Sequence, residues 1–308
     1  MLFGIPALLA VGASWCLVGI VMGKAPKKGI EACKIQLIGA MFSILFNLVL
    51  AAALGYFSAV ELRYLLIGMS IYAVAGFLDC LGVRCLAEGM KRGPNGMVWA
   101  IMQSGTVFPF LGGIFLFGVE LTFCRGLGII LLMVALIFFG IAQDNQPKPM
   151  QEKNRTSWKF WAFLAFALVG IQQNLTNAPS YFPELQALSA PVRALAAAIG
   201  ILLGSLPGQA GKGFYKGLAE VCSRKLFWFY TLGLQASSLF FAYFLTYPGL
   251  DAMANAGAGA VSFPLMVGSC IIGFSLYSLL VLKEKAGIAQ ILGILLCLTG
   301  LCCLSFPK

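Results

Sequence analysis

The apolar positions of this chain neither alternate nor form the narrow stripe of a surface helix. They come in long runs, at roughly 3–22, 35–57, 62–86, 96–117, 123–142, 160–176, 192–206, 226–246, 258–282 and 287–306. A membrane-spanning helix needs about 20 such residues, so the pattern predicts ten of them. The seventh run is short and reads as tilted, extended or partly re-entrant. Polar residues gather between the runs. The longest polar stretch, 143–159, holds Pro147, Pro149 and most of the local charge, the mark of a solvated linker. It separates five helices from five. The expected organisation is a five-helix repeat over 1–145, a cytoplasmic linker over 146–159 and a second repeat over 160–308. Two homologous halves with an odd number of helices must be inverted in the membrane.

Composition agrees with this division. Of 308 residues, 60% are hydrophobic and 10% charged, and mean hydropathy is +0.91. A soluble domain is about 45–50% apolar and about 25% charged. A soluble enzyme, a disordered chain and a disulfide scaffold are excluded. The first run lacks a basic segment before it, so it reads as a span rather than a cleaved signal. The ten cysteines include no C-x-x-C pair, and there is no histidine. Neither a metal nor another cofactor is expected.

The net charge of +10 would suggest nucleic acid in a soluble protein. Here it reports loops. Seventeen of the 21 Lys and Arg fall in the loops after runs 1, 3, 5, 7 and 9, and only Arg63, Arg125, Arg193 and Lys308 fall on the other side. Basic loops stay in the cytoplasm. A multi-pass cell-membrane protein, of a bacterial inner membrane by preference, is expected, with both termini outside the cytoplasm.

Two turns carry a resemblance. Gly118-Val119-Glu120 and Lys283-Glu284 each precede a final helix holding a glycine, Gly128 and Gly293. In this the chain is similar to the drug/metabolite transporter superfamily (EamA-like), whose members have two inverted five-helix repeats. Within it the chain most resembles the L-rhamnose–proton symporter branch of bacterial sugar transporters. The matching stretches are 23–28, 76–90, Asn177-Ala178-Pro179 and 273–284. The resemblance implies alternating-access transport. It carries no substrate residue across one by one, so those come from the chain itself.

Polar groups at mid-membrane are costly and therefore candidates for function. Asp79 is the only acid so placed. Counting ~1.5 Å per residue, it lies about 13 Å from the cytoplasmic helix end at Glu88, within a ~30 Å core. It is the candidate for proton coupling; its structural alternative is a contact with Arg84. The substrate candidates are Trp15, Asn47, Trp99, Gln103, Gln172, Gln235 and Ser269. Carboxamides hydrogen-bond hydroxylated or heterocyclic substrates, and indole faces stack on their apolar sides. Equally, Gln, Asn and Ser join helices to one another. Arg193, at the start of helix 7, would draw anions into a vestibule or reach lipid headgroups.

The expected function is secondary transport of a small, polar, neutral metabolite, sugar-like by preference, with protons as a possible co-substrate. Export or exchange of amino acids or nucleobases is the alternative within transport. A channel or a structural membrane protein is the alternative outside it. No nucleotide-binding motif and no catalytic cluster speak for an ATP-driven pump or an enzyme. The partners are the substrate and the bilayer, as monomer or dimer, without nucleic acid.

Overall fold

The computed structural model describes residues 1–25, 28–92, 95–144, 157–206, 214–281 and 287–306. All regular structure among them is helical. In order, the helices are α1 (Gly4–Lys24), α2 (Ala32–Ala53), α3 (Leu62–Arg92), α4 (Asn95–Gln103), α5 (Val107–Phe115), α6 (Phe123–Asp144) and α7 (Ser157–Asn177). They continue as α8 (Pro183–Gln186), α9 (Ala190–Ser205), α10 (Phe214–Cys222), α11 (Lys225–Phe241), α12 (Tyr247–Asn255), α13 (Ser262–Leu280) and α14 (Ile288–Ser305). Most of the expected linker, and the Lys283-Glu284 turn, lie outside the described residues.

Among the described residues, six segments are long and apolar enough to cross a membrane: Gly4–Val21, Ala32–Ala53, Leu62–Met90, Val98–Phe115, Phe123–Ile141 and Ile288–Ser305. Ala190–Ser205 and Gly259–Gly273 are shorter apolar helices. The outer faces of the long segments carry Leu45, Ile130 and Leu295, each more than half exposed. Apolar surface of that extent needs lipid rather than water. The protein is a helical, membrane-embedded chain.

Three interruptions break the helices, each at a position the sequence explains. A 3₁₀ turn, Ser104–Thr106, joins α4 to α5. Pro109 has no N–H for the Gly105 carbonyl, so the regular ladder fails there. A second 3₁₀ turn, Gly259–Val261, precedes Pro264 in α13. Between α11 and α12 the chain forms a π-helical segment, Ala242–Thr246, where Pro248 leaves the Phe244 carbonyl without its donor. Consequently the eighth apolar run continues past 246 and carries Asp251 inside a helix. Gly118 closes the α5–α6 connection at φ 64°, a left-handed conformation open to glycine at little cost.

Packing centres on α3, which lies against α7 on one side and α9 on the other. The α3–α9 crossing is set by glycine. A Cβ on Gly76 would strike the Ala197 backbone, and one on Gly200 the Ala73 backbone. Around this centre α1 packs on α13, α2 on α9, and α6 on α14. The largest apolar cluster joins α1, α6, α12, α13 and α14 through Leu8, Leu132, Leu250, Met266 and Leu304.

Candidate functional site

The interior face of α3 carries Tyr72 and Asp79, two turns apart and so about 10 Å along the axis. Around that axis Asp79 lies between the residues that meet α9, among them Gly76, and those that meet α7, among them Gly82. It is partly exposed and has no ion pair among the described residues. Arg84 does not take it: that guanidinium donates to the Gly204 carbonyl of α9 at 3.1 Å.

Asn47 is fully buried on α2. Its amide donates to the Ser43 carbonyl at 2.6 Å and to the Ser43 hydroxyl at 3.0 Å. Its Oδ1 accepts from the Tyr243 hydroxyl, which the π-helical segment turns toward α2. Gln235, on α11, lays its amide against Gly39 of α2. These two residues therefore share the α2–α11 joint. Gln103 is 3% exposed and ends α4 where the helix breaks.

The other candidates have packing contacts of their own. Trp15 packs on the large cluster, its ring centroid 6.3 Å from that of Phe263. Trp99 packs on a different cluster, with Leu86 and Val98. Ser269 faces Gly12 across the α1–α13 joint and donates to the Met266 carbonyl of its own helix at 3.0 Å. Gln172 donates to Thr176 of its own helix at 3.1 Å. Its neighbour Gln173 is the buried one, 2% exposed, with Oε1 lacking a partner. A one-residue step on α7 turns a side chain by 100°, which decides between them.

Thr106, Thr231 and Ser262 likewise bury hydroxyls that have no partner among the described residues. An unmade buried hydrogen bond costs about 1–3 kcal/mol. Such groups suit an interior that water or a polar solute can enter.

The densest polar structure was not predicted as a unit. Arg193, 1% exposed, meets Asp251 of α12 through two hydrogen bonds, Nη1 to Oδ1 at 3.0 Å and Nη2 to Oδ2 at 2.9 Å. Its Nε donates to the Leu188 carbonyl at 2.8 Å and its Nη2 to the Gln186 carbonyl at 2.6 Å. The Ser180 hydroxyl donates to Asp251 at 2.6 Å. The guanidinium also lies 5.4 Å from the Tyr247 ring, which Tyr72 meets edge-on at 5.6 Å. Arg193 thus neither faces a vestibule nor reaches headgroups. Arg193 was legible as a charge at a helix start, but its contact with Asp251 spans 58 positions of sequence.

No family model matches the chain, and no curated protein matches it. A solved crystal structure superposes on it with TM-score 0.61 at 12% identity, over 99% of this chain and 95% of that one. At that identity the likeness concerns the fold alone.

Proposed function

We propose that this chain is a secondary transporter built from two inverted five-helix repeats. The observation that carries the reading is the pattern of helix neighbours. Counting α4–α5 and α11–α12 as one helix each, and leaving out α8 and α10, ten membrane helices remain. A shift of five then relates one set of contacts to another. The pair α1–α13 corresponds to α7 on α4–α5. The pair α3–α7 corresponds to α11–α12 on α1, and α3–α9 to α11 on α2. The pair α4–α6 corresponds to α13–α14, while α2–α9 and α6–α14 correspond to themselves. Two unrelated bundles have no reason to share this arrangement. Inverted repeats rocking about a central site are a common architecture of secondary transport.

The charge distribution supports an orientation with the Lys34 end in the cytoplasm and the Arg193 end outside. The substrate reading is a small, polar, neutral solute, sugar-like by preference, as in the L-rhamnose–proton symporter branch of sugar transporters that the chain resembles. Buried amides and hydroxyls suit such a solute. Arg193, which would otherwise favour an anion, is already engaged by Asp251. Asp79, without an ion pair, is the group for proton coupling.

The test is counterflow. Purified protein in liposomes preloaded with unlabelled sugar should take up the same labelled sugar transiently and saturably. A thermal-shift panel of sugars, amino acids and nucleobases chooses the probe. Absence of counterflow for every solute that shifts the melting temperature would sink the reading.

A further inference from the structure

We infer that Arg193–Asp251 is one of two alternating charge latches, and that Lys34 and Glu88 form the other. The inference rests on the inverted-repeat reading above and adds the state of the molecule and the residues that switch it. Helix α3 runs 31 residues, Leu62–Arg92. The continuous helical run Lys225–Asn255, through the π-helical segment, has the same length. Asp251 and Glu88 each stand four residues before the end of their run. Arg193 lies in the first turn of α9 and Lys34 in the first turn of α2. The shift of five helices that relates α2 to α9 and α3 to α11–α12 therefore relates the acid of one pair to the acid of the other. It relates cation to cation in the same way, at opposite ends of the molecule.

The two pairs are in different states. At one end the cation and acid have met across helices, with both carboxylate oxygens engaged. At the other they have not. Lys34, only 8% exposed, pairs with Glu31, which immediately precedes its own helix, at 3.1 Å. Glu88 pairs with Arg92, one turn along its own helix, also at 3.1 Å. Both pairs are local, at i,i+3 and i,i+4, so neither ties one helix to another. A buried pair such as Arg193–Asp251 cannot open without leaving charge behind. If the helices rock, opening one end costs the pair there and closing the other end supplies a replacement. The two states then stay close in energy. The conformation described here has its Arg193 end closed.

Electron spin resonance distances test this in the full chain in nanodiscs. Nitroxides are carried on ketone-bearing unnatural residues, which leaves the ten cysteines in place. One pair of labels, at Ala187 and Ala256, spans the Arg193 end, and another, at Lys28 and Met90, spans the Lys34 end. Asp251→Asn should lengthen the first distance and shorten the second, enriching the reverse state about 5- to 150-fold. Glu88→Gln added to Asp251→Asn should reverse part of that shift. The charge swap of Arg193→Asp with Asp251→Arg controls for misfolding and should restore the original distances. If Asp251→Asn lengthens the first distance and leaves the second unchanged, the pair is a local clamp and the alternation is wrong. If the melting temperature falls with neither distance moving, the pair is only structural. No solute is needed, so these outcomes are independent of whether counterflow succeeds.

Discussion

Arg193 and Asp251 meet through two hydrogen bonds of 3.0 and 2.9 Å, the guanidinium almost wholly buried and the carboxylate side chain 21% exposed. Removing one partner of a buried pair strands the other charge and costs about 3–5 kcal/mol. Asp251→Ala should therefore lower the melting temperature well beyond Ser180→Ala. The latter removes one hydroxyl donor from the same carboxylate, a loss of about 1.5–3 kcal/mol. Differential scanning fluorimetry in detergent ranks them. Equal shifts would mean that the ion pair contributes no more than the hydroxyl.

The α3–α9 crossing depends on the absence of side chains. Gly76→Val should destabilise by more than the ~1–3 kcal/mol usual for overpacking, because it meets backbone rather than a movable side chain. Gly233, inside α11, has open space around the position of a Cβ. There Gly233→Ala should stabilise by up to ~1 kcal/mol through helix propensity. Melting temperatures of the two variants should move in opposite directions.

In the proposed transporter, Gln103, at a helix break, and Gln235, packed on α2 at Gly39, would meet the solute. Losing one buried hydrogen bond to substrate costs ~1–3 kcal/mol. Gln103→Ala and Gln235→Ala should weaken binding about 5- to 150-fold, read by titration calorimetry, while the fold persists. Unchanged affinity in both would move the site elsewhere in the bundle.

Asp79→Asn keeps the shape of the side chain and removes its titration. Proton-coupled accumulation in liposomes under an imposed pH gradient should be lost, while exchange of labelled for unlabelled substrate continues. A variant that still concentrates substrate against its gradient would falsify the coupling role and leave a facilitator or exchanger.

Orientation is open to a direct measurement. A reporter active only in the cytoplasm, fused after Lys308, should stay silent, and one active only outside should light up. The opposite result would invert the assignment of the two ends and with it the sense of the latch.

Composition and run length alone determined that this chain lives in lipid, because a backbone in hydrocarbon must satisfy its own hydrogen bonds and long apolar runs have no other stable solution. They also marked the apolar runs in which the long helices lie. Rotational phase was less accessible. With lipid as solvent, a helix can be apolar on both its packed and its exposed face, so periodicity does not separate Gln172 from Gln173. Tertiary structure decided that, and it decided the partners. Asp251 meets Arg193 because the π-helical segment continues its helix past the eighth apolar run. The side chains of Trp15 and Trp99 read as one pocket by depth, yet they pack on separate clusters. Depth follows from counting residues along one helix, whereas adjacency depends on which helices meet, and that is fixed by crossings such as Gly76 on Ala197, far apart in sequence and set by packing.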